Sequence, residues 1–267
     1  MHNILFTVIL LLSFLTQGQE DISIESLWSI PSEGISAFDI DEQGNCILAK
    51  KNSLYKYNDQ GKLIFQESQK SIGSIDIIDA RNPMKIGIFS SEQQLVQFCD
   101  NTITFLDGKL QLDEYGINTA TAFSNSDQNN KCWIYDQSNS KLNLLALNSQ
   151  QQQIVENLKG LLGFHEVSKI IESENNIYLI DYKTGVYKLN NFGVLINFYN
   201  IQDSEKVSID HEQIYFIRNK TLFMYDFKTD LEKKVVDFSF QPIDFKKTGN
   251  IIYVLSPSKL SKLSLHN

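Results

Sequence analysis

Five acids stand in short apolar phrases that recur along the chain: Asp39 in AFDID, Asp76 in SIDII, Glu172 in IIESE, Asp210 in SIDHE and Asp244 in PIDFK. A hard cation such as calcium takes about six to eight oxygen ligands, which carboxylates supply well. Acids carried on strands that share one axis therefore suggest a calcium site, with Asp39, Asp76 and Asp244 as its candidate ligands. The equivalent phrase of the third copy offers Ser124 instead. The plainer role for these acids is to cap turns and keep the strands hydrated.

Other chemistry is sparse. His165 in GFHEV and His211 in IDHEQ each precede a Glu, but neither has a second His at metal-ligand spacing, and both are expected in solvent-facing turns. There is no G-x-S-x-G elbow, P-loop, H-E-x-x-H pair, EF-hand loop or dinucleotide fingerprint. Cys46, Cys99 and Cys132 lack C-x-x-C spacing and sit in apolar runs, where a thiol behaves as a small buried hydrophobe. Were two of them to oxidise after export, Cys99 with Cys132 is the pair to test.

The elements that must position these residues are strands. Aromatic and β-branched residues alternate over five to seven positions, as in NIYLIDY and QIYFIRN. Two short β runs, a polar turn and two more runs form a unit that recurs at the roughly 40-residue period of propeller blades. The second runs start at Cys46, Met84, Cys132, Ile177, Ile214 and Ile251, spaced by 38, 48, 45, 37 and 37 residues. Gly44 and Gly61 fall in turns whose backbone needs positive φ. The polar stretches Ser124 to Lys131 and Ser149 to Gln153 are expected as loops, and Lys159 to Ile171 as the one place for a helical turn.

The expected fold is thus all-β, a six-bladed β-propeller of four-stranded antiparallel blades. The sixth copy stops after three runs, and the spare run SIESLWSI, Ser23 to Ile30, is placed to complete it. That pairing would join the first blade to the last and remove an open edge.

Ahead of this domain, Ile4 to Leu15 is apolar except for Thr7 and Ser13, too short to span a bilayer and suited to a signal peptide cut before Gln19. Residues 1–18 are therefore read as a signal peptide and 19–267 as a single propeller domain, giving a periplasmic or extracellular product. No later run approaches the roughly 20 apolar residues of a membrane helix. With 24 basic against 32 acidic residues and a net charge of −8, long-range attraction to nucleic acid is not expected. The 17 Phe and 11 Tyr recur within strands, where packing between blades needs large side chains.

The phrases DEQGNCILAKKNSLYKYNDQGKLI and ENNIYLIDYKTGVYKLNNFGVLI resemble the blades of six-bladed propellers in the NHL and TolB-like group. Asp41, Gly44, Asn45, Tyr57, Gly61 and Leu63 carry the likeness in the first copy; Tyr187, Gly193 and Leu195 carry part of it in the fourth. IDIIDARNPMKIGIFSSEQQLVQFCDNTITFLD is similar to phrases of uncharacterised exported propellers from Gram-negative envelopes. Six-bladed hydrolases and lactonases with a calcium ring imply one function for the inner acids. Exported propellers without a catalytic motif imply another, a noncatalytic scaffold that binds an envelope or secreted protein. A glycan- or peptide-binding propeller is the third.

Overall fold

The computed structural model describes residues 22–147, 149, 152–211, 213–227 and 229–266. The signal peptide expected over residues 1–18 lies outside the described residues. The chain forms six four-stranded antiparallel sheets, a six-bladed β-propeller. Strand β1 (Ser23–Pro31) comes first and belongs to the last blade.

Blade 1 is β2 (Ile35–Ile40), β3 (Cys46–Lys50), β4 (Ser53–Tyr57) and β5 (Leu63–Ser68). Blade 2 is β6 (Ile77–Asp79), β7 (Ile86–Ser90), β8 (Leu95–Cys99) and β9 (Phe105–Gln111). Blade 3 is β10 (Ala120–Asn125), β11 (Lys131–Asp136), β12 (Lys141–Ala146) and β13 (Gln152–Val155). A single α-helical turn, α1 (Leu158–Leu162), then leads into blade 4: β14 (Lys169–Ser173), β15 (Asn176–Asp181), β16 (Gly185–Asn190) and β17 (Leu195–Tyr199). Blade 5 is β18 (Lys206–Asp210), β19 (Gln213–Arg218), β20 (Thr221–Asp226) and β21 (Leu231–Asp237). Blade 6 is β22 (Asp244–Thr248), β23 (Ile251–Leu255) and β24 (Lys259–His266), with β1 as its outer strand. The second run of blade 2 begins at Ile86 rather than Met84, because Met84 lies exposed in the preceding turn, whose Asn82 side chain accepts its N–H.

The middle strands are apolar on both faces because each blade packs against two neighbours, as in other sheets covered on both sides. Ile47 and Ala49 of β3 meet Ile86 and Ile88 of β7, and equivalent clusters fill the spaces between each later pair of blades. A sixth cluster, with Cys46 and Leu48 against Tyr253, Leu255 and Leu260, closes the circle. Cys99 packs between blades 1 and 2 and Cys132 between blades 2 and 3. They therefore lie in separate clusters, and all three thiols are free and buried. Burial raises each thiol above its ordinary pKa, Cys132 to about 12.

One five-residue turn recurs. An Asn or Asp side chain accepts the N–H groups two and four residues ahead: Asp41 from Gln43 and Asn45, Asn58 from Gln60 and Lys62, Asp100 from Thr102 and Thr104, Asn190 from Phe192 and Val194. The fourth residue of each must take a positive φ, and Gly44, Gly61 and Gly193 do so at 79°, 76° and 82°. In blade 2 that place is held by Ile103 at φ 59°, a conformation unfavourable for a β-branched residue. Its side chain is fully buried between blades 1 and 2, which offsets the backbone cost.

Candidate functional site

The inner strands of all six blades surround a cavity of about 180 Å³ at the axis. Asp39, Asp76 and Asp244, chosen from sequence as acids of the inner strands, all line it, as does Ser124. Each acid meets different partners. Asp39 is bonded on both oxygens, by the Ala80 N–H at 2.9 Å and by the Lys246 amine at 2.8 Å. Asp76 is exposed, and its Oδ2 accepts the N–H and hydroxyl of Ser91 at 2.8 and 2.6 Å. Asp244 begins β22 and accepts the N–H of Phe245. Among the described residues, no three His, Cys, Asp or Glu side chains gather to hold a metal ion. A cation at this place would compete with Lys246 for Asp39 and with Ser91 for Asp76.

The other two acids point elsewhere. Asp210 closes β18 and accepts the Gly249 N–H at 2.9 Å, with Lys247 at 3.7 Å. Glu172 is buried beside β11, where Trp133 Nε1 donates to it at 2.7 Å and the Asp127 N–H at 3.1 Å. Burial raises the Glu172 carboxyl above its ordinary pKa, Asp127 adds to the rise, and the Ser126 and Trp133 hydrogen bonds offset part of it. His165 and His211 are both exposed in turns, as their sequence context predicts.

One end of the channel is tied by Asp79 and Arg81. The guanidinium donates from Nε and Nη2 to the two carboxylate oxygens at 3.0 and 2.8 Å, and Nη2 also reaches the Asn125 carbonyl at 2.7 Å. Nη1 donates to the carbonyl of Glu172, so one side chain links blades 2, 3 and 4. Burial alone would raise the Asp79 pKa; the Arg81 charge and hydrogen bonds, with Lys246 and the Asn125 N–H, outweigh it and hold the carboxyl at about 2.

The other end carries lysines. Lys169, Lys206 and Asp244 are the first residues of β14, β18 and β22, opposite Ile180, Ile217 and Leu255. They occupy one position of the repeat and line the same cavity. Tyr182, from the turn after β15, lies beside them with its ring 5.6 Å from the Lys206 amine. Burial raises the Tyr182 hydroxyl above its ordinary pKa, and Asp244 adds to it. Sequence reasoning centred on acids missed these cations. Their signal was nonetheless present, since a Lys heads the inner strand in both KIIES and KVSID.

The outer rim differs between blades. Strand β21 carries Lys233 and Lys234, charges that discourage edge pairing. Strand β17 reads LINFY, follows a turn with Phe192 and Val194, and among the described residues pairs with β16 alone. Phe192 is 70 % exposed and Ile196 54 %. Val155 of β13 packs against Gly193 in that turn. No helix among the described residues is long and apolar enough to cross a membrane.

No protein-family profile matches the chain, and no curated protein sequence matches it significantly. Solved structures match its shape. A virginiamycin B lyase from Staphylococcus aureus, crystallised as an inactive variant with quinupristin, aligns over 92 % of this chain and 100 % of its own, at 9 % identity and a TM-score of 0.65. A protein of unknown function from Bacteroides thetaiotaomicron aligns over 91 % of this chain and 72 % of its own, at 10 % identity and a TM-score of 0.64. A chain of the mitotic checkpoint complex covers 87 % of this chain and 78 % of its own, at 10 % identity and a TM-score of 0.60. At such identities these likenesses establish the propeller fold and nothing narrower.

Proposed function

We propose that the chain is an exported, noncatalytic propeller that serves as a protein-interaction platform in the periplasm or outside the cell. The observation that carries this reading is the apolar open edge of blade 4. Among the described residues, strand β17 has one side of its backbone unpaired, and it exposes Leu195, Ile196 and Phe198 where a protected edge would place charge. Main-chain hydrogen bonds give affinity in strand addition and side-chain pockets give selectivity. The partner suited to this edge is an extended, apolar segment of an envelope or secreted protein.

Export is supported by the Ile4 to Leu15 run. Kinship with NHL and TolB-like propellers belongs to the same reading, on the Asp41 to Asn45 turn and its geometry. The neighbour from the mitotic checkpoint complex works within a protein assembly, which is in keeping with a scaffold.

A photo-crosslinking residue at Ile196, compared with one at Lys109 on the outer strand of blade 2, tests the docking edge in cells expressing the full chain. A partner captured at 196, absent at 109 and lost on adding Phe192→Ser, supports the reading. Equal capture at both sites, or none at 196, overturns it. Mass spectrometry of the secreted chain should find Gln19 at the N-terminus; a cellular product retaining Met1 removes the export part.

A further inference from the structure

We propose that the lysine end of the central channel binds a small oxyanion, a carboxylate or phosphate group on a molecule of metabolite size, through Lys169, Lys206 and Tyr182. Four cations line the cavity, and they are not equivalent. Arg81 and Lys246 are engaged by Asp79 and Asp39. Lys169 makes a single hydrogen bond, to the Val207 carbonyl at 3.3 Å, and no ion pair among the described residues. Lys206 meets the face of Tyr182, and neither its amine nor the Tyr182 hydroxyl has a hydrogen-bond partner among the described residues.

Three half-buried polar groups with donors to give thus face one cavity. An ammonium carries three N–H donors, and most of those of Lys169 and Lys206 are left for a ligand to take. Burial lowers the Lys169 pKa first of all. Asp244 and Asp39 oppose that fall, and Lys246 and Lys206 reinforce it. An oxyanion placed between Lys169 and Lys206 would accept from both amines and from the tyrosine hydroxyl, and would favour the charged form of Lys169. Lysine suits this part as a point charge with rotatable donors. At roughly 30 Å³ per water, the cavity has room for about six waters or a ligand of similar bulk. That size suits phosphate, a short dicarboxylate or a phosphate monoester.

Calorimetry and thermal unfolding with inorganic phosphate and with succinate, against chloride at equal ionic strength, test the site in the mature chain. One oxyanion should raise the melting temperature by about 2 °C or more at 10 mM. Lys169→Met and Lys206→Met should each weaken that binding at least tenfold, and Lys109→Met should leave it unchanged. The stronger of the two anions tells carboxylate from phosphate. If Lys169→Met does not fold, Lys169→Gln, which keeps most of the stem and a polar head without the charge, serves instead and should weaken binding at least tenfold. No shift beyond chloride with either anion, or undiminished binding in both foldable lysine variants, overturns the proposal. The outer edge of blade 4 plays no part in this test.

Discussion

Trp28 Nε1 donates a 2.8 Å hydrogen bond to the carbonyl oxygen of Asp59, fastening the outer strand of blade 6 to a turn of blade 1. The indole also lies 5.9 Å from the Tyr253 ring, and a methyl group on Gly61 would come within 2.9 Å of it. Lys262 of β24 forms an ion pair with Asp59 on the same turn. Trp28→Ala should cost about 3 kcal/mol in urea unfolding, since it removes a large packed ring and an N–H donor. Trp28→Phe should lose about 1 kcal/mol. Loss of under 0.5 kcal/mol for the alanine variant, roughly the level of a surface change, would show that closure does not depend on this residue.

Lys56 and Asp41 form a buried ion pair at 3.1 Å, with side chains 2 % and 0 % exposed. The amine also donates to Asn101 in blade 2, to the side-chain oxygen at 2.7 Å and the carbonyl at 3.0 Å. Lys56→Met strands a buried carboxylate and should cost about 3 to 5 kcal/mol. The double variant Lys56→Met with Asp41→Asn should regain at least about 1 kcal/mol of that loss, giving a coupling energy measurable by a double-mutant cycle.

The Asp79 carboxyl, held at about 2, links stability to acid. A lowered folded-state pKa gives stability that is complete above the unfolded carboxylate value near pH 4 and disappears as pH falls toward 2. Its size is about 2 kcal/mol. Urea midpoints taken from pH 6 down to pH 2 should therefore decline more steeply in the wild type than in Asp79→Asn. Parallel pH profiles for the two proteins would refute this assignment.

Gly87 lies where blade 3 crowds against β7. A Cβ there would stand 2.5 Å from Phe123 Cζ and 2.7 Å from Asn125 Oδ1. Gly87→Ala should destabilise by about 1 to 3 kcal/mol through overpacking. Adding Phe123→Leu should relieve part of that cost. If the alanine variant melts with the wild type, blades 2 and 3 have slack at this contact.

Calcium offers a contrasting test of the channel, because Asp39 is bonded by Lys246 and Asp76 by Ser91. Two millimolar calcium should move the melting temperature by less than about 1 °C in the wild type. A larger rise, abolished by Asp39→Asn, would instead establish a metal site.

The blade repeat was legible because its signals are local: alternating apolar strands, turns with Asn, Asp and Gly, and a spare run around Trp28. Even the closing strand could be placed from Ser23 to Ile30, one residue short of its observed end at Pro31. The channel was legible only in part. Asp39, Asp76 and Asp244 were placed on its wall, but Lys246 comes to Asp39 from another blade and Ser91 to Asp76 from the turn after the neighbouring strand, and no spacing in the sequence encodes such pairs. Arg81 follows the short strand β6 and reaches three blades, a role that depends on the closed ring. The cysteine pair shows the same limit from the other side, since a sheet separates two thiols that the chain order leaves unassigned.

Blade 6 joins the first described strand to the last three. Ser23 pairs with His266, and Glu25 meets the His266 ring across a separation of 241 residues. On a ribosome, β1 emerges before the other described strands and β24 after them, so the ring stays open until the last of these strands is made. Contacts of such range are slow to form, and an unpaired edge is a template for other chains during the wait. Joining His266 to Ser23 through a short linker and opening the chain between blades 3 and 4 would let β24 and β1 emerge in succession as a hairpin. Such a permuted chain should refold faster and with less aggregation than the natural order, at little change in final stability.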